Sequence, residues 1–255
     1  AAPPGAAARG LFSTFYLRFL LKLYTTAPEN KVAVIMRRIR GKTGYDVAVR
    51  DPAATVEDYL AALDRAILEL PLDRGRAPGR RSCAGCDRCC AERLPLTWID
   101  YLNLKAAVDP EAGLADFLAA HAHVLVDGPV VDIILAGGGG GCCLLDPENR
   151  TCRAYHARPL VCRTFICCPS TIRARRLRAV LTNRGEDELV RQWLLDARRR
   201  GKPPLIHEGY APRPRMGDWP PTPFAGCSSY REVPLKAVCP PGLWSALTAG
   251  LTVAH

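Results

Sequence analysis

The chain has 255 residues, 48% hydrophobic and 24% charged, the balance of a globular protein with room for a real core. Its 35 basic and 25 acidic side chains leave a formal charge of +10, which can draw nucleic acid, anionic lipid or an acidic protein, or offset a thiolate-bound metal. Its 12 cysteines argue against a secreted disulfide framework: they are bunched, and Cys89–Cys90, Cys142–Cys143 and Cys167–Cys168 are sequence neighbours, which seldom form a relaxed disulfide. A chain of this size needs no covalent staples.

In chain order, Leu11–Tyr24 reads as a helix with an apolar face. It is too short for a bilayer span of about 20 apolar residues, and Arg18 and Lys22 interrupt it. No secretory signal is read, and a reducing cytoplasm is the expected compartment. Lys31–Arg50 allows two short strands, from its β-branched residues and the Gly41–Gly44 break, or a helix ending near Gly41. Thr55–Leu70 predicts a helix: Thr55 caps, Glu57 and Asp58 suit the first turn, and Leu60, Leu63, Ile67 and Leu70 recur at helical spacing.

Asp73–Ser82 is a linker rich in Gly, Pro and Arg. Leu96–Val108 and Glu111–Val124 are expected as helices, with Pro110 at the start of the second. Val130–Leu135 is a short apolar run, and the glycines Gly137–Gly141 form a spacer or a close backbone approach. No Gly-Lys-Ser/Thr follows them, so they are not a phosphate loop. Thr171–Leu181 is basic, Glu186–Arg200 reads as a separate helix, and Lys202–Pro241 is Pro-rich and irregular.

These readings predict a mainly α fold, with helices around irregular cysteine-rich metal-binding loops and a small β element allowed near the N-terminus. Three regions are expected: a helical one at 1–75, a cysteine-cluster domain at 76–170, and a basic, Pro-rich one at 171–255 packing on it.

The first cysteine loop is Cys83-Ala-Gly-Cys86-Asp-Arg-Cys89-Cys90. Thiols spaced by two residues can turn around one metal centre, with a remote cysteine completing it, as in iron–sulfur proteins. Structural zinc usually takes two separate Cys-x-x-Cys knuckles, so the loop leans towards iron–sulfur and leaves zinc open. The second cluster runs from Cys142 through Leu144–Leu145, Cys152, Tyr155, Arg158, Pro159, Cys162 and Arg163 to Phe165. His156 is a weaker candidate ligand.

Together these motifs resemble the YkgJ-like cysteine-cluster family, whose CxxCxxCC domain chelates zinc or iron. The resemblance covers Cys83 to Phe165. A related cluster in the flagellin lysine methylase family holds a four-iron cluster, which tilts the expectation to 4Fe-4S. The resemblance implies the metal set Cys83, Cys86, Cys89, Cys90, Cys142, Cys152 and Cys162. Within it, Cys83, Cys86 and either Cys89 or Cys90 come first, with Cys152 or Cys162 as the remote ligand. Arg158 and Arg163 are expected to donate to cluster sulfur, or else to pair with carboxylates such as Asp87 or Asp146; Tyr155 is expected to pack across the site, and Pro159 to start a short helix carrying Cys162. This chain adds Cys143, Cys167, Cys168, Cys227 and Cys239, which would serve a second centre or be plain thiols.

The expected function is iron–sulfur binding in a redox or accessory role with a protein partner. The alternatives are a structural zinc module and a cluster-containing enzyme such as a protein methylase, for which no nucleotide motif is found. Nucleic-acid binding through Arg173–Arg178 and Arg198–Lys202 is disfavoured by the scarcity of aromatic residues.

Overall fold

The structure is a computed structural model, and it describes residues 30–76, 85–138 and 141–249. The expected helix at Leu11–Tyr24 lies outside the described residues, as does Cys83. The fold is mixed α and β, with 45% helix and 19% strand, and this corrects the mainly α expectation.

The strands arise where short β-branched runs flank tight turns. β1 (Val32–Ile39) and β2 (Lys42–Val49) form an antiparallel hairpin, so this stretch is not a helix ending near Gly41. Its two-residue turn puts Arg40 at φ 49° and Gly41 at φ 79°, both left-handed, as a twisted hairpin requires. β2 is also joined to the segment leading into the long helix: Tyr45 N–H donates to the Pro169 carbonyl at 2.9 Å, and Thr171 N–H to the Tyr45 carbonyl at 3.0 Å.

α1 (Val56–Glu69) has the expected Thr55 cap, with Asp58 closing the capping box. α2 (Trp98–Val108) is capped by Thr97 and Asp100 in the same way. α3 spans only Leu114–His121. Ala122–Val124, expected to continue it, instead open β3 (Ala122–Asp127), which pairs with β4 (Val130–Leu135) across a Gly128–Pro129 turn. A short parallel strand, β7 (Glu208–Tyr210), pairs with β3 from within the Pro-rich segment. Within the glycine run, β5 (Gly137–Gly138) pairs with β6 (Gly141–Cys142).

The expected basic stretch and separate helix are one element. After the short α4 (Leu160–Thr164), α5 runs unbroken from Ile172 to Arg200, 29 residues. α6 (Leu235–Val238) and α7 (Pro241–Thr248) follow. The first half of α5 packs Leu177 and Leu181 with the hairpin valines and with Tyr59, Leu60 and Leu63 of α1. Its second half packs Leu189, Val190 and Trp193 with α2, α3, β3 and β4. One helix thus braces both cores. Among the described residues, no helix is long and apolar enough to cross a membrane.

Candidate metal centre

Three separate chain segments bring six cysteines to one cavity of about 60 Å³, lined by Cys86, Cys89, Cys90, Cys142, Cys152 and Cys162. Leu94, Leu135, Leu144 and Leu145 supply its apolar wall, and Arg150, Tyr155, Arg158 and Phe165 complete it.

The first segment turns at Gly85 (φ 75°) into a 3-10 turn at Arg88–Ala91, closed by Cys90 N–H to the Asp87 carbonyl at 2.8 Å. Arg88 donates to the Gly75 carbonyl at 2.8 Å, and Arg150 Nε to Asp87 at 2.6 Å. The loop is therefore held both to the chain after α1 and to the second cysteine segment. In that segment an isolated bridge pairs Leu145 with Cys152, a short turn after Cys142, and Leu144 N–H points at Cys142 Sγ from 3.4 Å.

Cys162 rides on α4, whose first residue follows Pro159 as expected. The device that anchors α4 was not read from the sequence. Asp100 is 1% exposed and accepts from Leu160 N–H at 2.7 Å, from Thr97 N–H at 3.0 Å and from the Tyr230 hydroxyl at 2.5 Å. The Thr97 hydroxyl lies 2.6 Å from that of Tyr230. A single buried carboxylate thus joins α2, the cysteine helix and the C-terminal segment.

Arg158 and Arg163 part company. Arg158 is on the cavity wall, with its guanidinium 4.0 Å from the Tyr155 ring centroid and Nε donating to the Tyr155 carbonyl at 3.0 Å. Arg163 is off the wall and ion-paired with Glu57 at 3.1 Å and Asp64 at 2.8 Å, tying α4 to α1. Tyr155 packs at the cavity, whereas His156 is exposed and off its wall.

The thiols differ electrostatically. A hydrogen bond from Cys90 pulls Cys89 down to about 6, against burial and Asp87 and with help from Arg158. Cys143 does the same for Cys142, which falls to about 7 with help from the Leu144 N–H. Burial pushes Cys152 and Cys162 up. Cys89 and Cys142 are thus the thiols most disposed to the thiolate form that binds metal. Among the described residues, no three His, Cys, Asp or Glu donors already stand as a group that could hold one ion; the thiols surround a space instead of meeting at a point. Soft sulfur donors in this number fit zinc or iron.

The added cysteines do not line the cavity. Cys143 Sγ lies 3.5 Å from the His121 carbonyl, Cys168 and Cys227 pack against the first core, and Cys239 is buried within it. No disulfide joins the described cysteines.

Residues 82–184 match the family model CxxCxxCC, described as "Putative zinc- or iron-chelating domain". Over this segment the chain is similar to the YkgJ-like cysteine-cluster family. The family description supports metal binding, and all six cavity cysteines fall inside the matched residues. The family match ends within α5, so the N-terminal hairpin, α1 and the Tyr230 segment that buttress the domain lie outside it. No curated protein and no solved structure matches the chain.

Replacing Cys227 or Cys239 with alanine is expected to leave the metal content per chain unchanged. The buried Cys239 should cost about 1 kcal/mol in chemical denaturation through lost packing. Loss of metal from either variant would place those thiols at a metal centre.

Proposed function

We propose that the domain holds an iron–sulfur cluster of the four-iron class and serves a redox or accessory role for a protein partner. The carrying observation is the convergence of six thiols from three segments on one cavity with an apolar wall. That number exceeds the four a single centre needs and leaves room for choice among neighbours such as Cys89 and Cys90. In this reading Cys83, Cys86 and one of Cys89 or Cys90 hold the cluster, with Cys152 or Cys162 as the remote ligand. When bound, such a cluster supplies one-electron transfer.

The chain's own residues have clear tasks. Leu94, Leu135 and Leu144 exclude water, which sets the potential together with hydrogen bonds to sulfur. Arg158 carries fixed positive charge onto the wall beside Cys89 and would favour the more negative, reduced state. Arg163 has a structural task instead, holding the α4–α1 contact.

The redox role is tested by adding dithionite to anaerobically purified protein. Bleaching of the visible band, with a new electron paramagnetic resonance signal, is expected. Arg158→Met should lower the midpoint potential while leaving the iron content intact. A centre that no reductant alters would reject the redox role, and colourless protein with stoichiometric zinc would make this a structural module.

A further inference from the structure

A second concavity lies between the tip of the β1–β2 hairpin and the start of α5. This groove of about 670 Å³ is within the size range of ligand sites. Arg40, Lys42 and Arg175 supply its charge, and no carboxylate is among its lining residues. Arg40 and Lys42 are exposed at the hairpin tip, and neither side chain has an acidic partner among the described residues. The nearby Asp46 is already taken by Arg173 at 2.7 Å and by the Thr171 hydroxyl at 2.5 Å.

The groove also contains apolar surface. Ile39, Pro169 and Ile172 share its wall, and Ile172 is 62% exposed. The first turn of α5 carries no acidic residue to balance the positive end of this long helix, so the field there favours an anion. The cations and the helix end call for negative charge, and the isoleucines call for an aliphatic side chain. No aromatic ring lines the groove for base stacking, and a phosphate backbone would leave the isoleucines uncovered.

We propose that this groove docks an acidic segment of a partner protein, one that places an aliphatic side chain against Ile39 and Ile172 and carboxylates against Arg40, Lys42 and Arg175. Phe165 on the metal-cavity wall and Pro169 on the groove wall are four residues apart. At most about 14 Å of chain separates them, so a partner docked here sits beside the metal centre. The docking site stands on its own residues and does not depend on which metal the centre holds.

The test selects short peptides from a displayed random library on the anaerobically purified chain. Wild type should enrich sequences combining Asp or Glu with Leu, Ile or Val. A synthetic member should bind at least about tenfold more weakly to the Arg40→Glu/Lys42→Glu double variant, and more weakly as salt rises. An Arg40→Ala/Lys42→Ala variant serves should charge reversal impair folding, and an unchanged metal content and unfolding midpoint confirm intact protein. Selection without acidic enrichment, or equal binding to the variants, overturns the proposal. An oligonucleotide that binds wild type with the same dependence on Arg40 and Lys42 also overturns it, and assigns the groove to nucleic acid.

Discussion

Asp100→Ala is expected to destabilise the protein by about 3 kcal/mol and to strip most of the metal from the domain. The two losses have one cause. The carboxylate is the acceptor for the Leu160 and Thr97 N–H groups, both in the interior, and alanine offers neither an oxygen. Each orphaned buried donor costs about 1–3 kcal/mol. The Tyr230 hydroxyl can fall back on Thr97 at 2.6 Å; Tyr230→Phe, which leaves both N–H groups their acceptor, should cost only about 1 kcal/mol. Leu160 is the first residue of α4, and Cys162 lies two residues further on. Releasing Leu160 therefore frees a cavity thiol from its place. Chemical denaturation and metal content per chain report the two effects separately. A variant with full metal content and less than about 1 kcal/mol of destabilisation would show that α4 is held by something else.

Gly44→Ala is the second large effect. A Cβ there would stand 2.1 Å from the Pro169 carbonyl oxygen and 2.7 Å from its carbon, with no flexible side chain to yield. That same carbonyl accepts from Tyr45 N–H at 2.9 Å. Relief requires β2 to part from the 169–171 segment, sacrificing this bond and the one from Thr171 to Tyr45. The expected cost is about 3 kcal/mol, from overpacking and broken hydrogen bonds, or roughly 10 °C in thermal midpoint. Binding of an acidic peptide should weaken too, because β2 and this segment form the two sides of the groove. A thermal midpoint within about 2 °C of wild type would mean the close approach is not maintained in solution.

The cysteine spacing made the cavity's thiol lining legible, since thiol chemistry confines such patterns to few uses. Six of the seven predicted cysteines meet at one cavity, and the seventh, Cys83, is outside the described residues. The sequence could not show where the arginines point. The partners of Arg163 are Glu57 and Asp64, on a helix about a hundred residues upstream, and no local signal connects them. Asp100 was half legible. Thr97-Trp-Ile-Asp100 is a capping-box pattern, but its second task, accepting from Leu160, is a tertiary contact.

The fold was misread where tertiary packing overrides local signals. Asp127-Gly128 marks a hairpin turn, yet the apolar residues before it also fit a helical period, so Ala122–Val124 of β3 reads as the end of α3. Thr171–Leu181 and Glu186–Arg200 read as separate segments, with Gly185 between them. Instead a Cβ there would lie 2.5 Å from the Thr97 side chain, so glycine is what lets α5 run continuously past the cap of α2.

The central claim is that the thiols hold an iron–sulfur cluster. Its most direct test is iron, zinc and acid-labile sulfide analysis, with a visible spectrum, on protein purified without oxygen. Iron and sulfide in equal amounts, with a broad band near the blue, is the predicted result, and it should be lost on substituting Cys86 together with Cys162. Stoichiometric zinc without sulfide would contradict it and leave a structural chelating module.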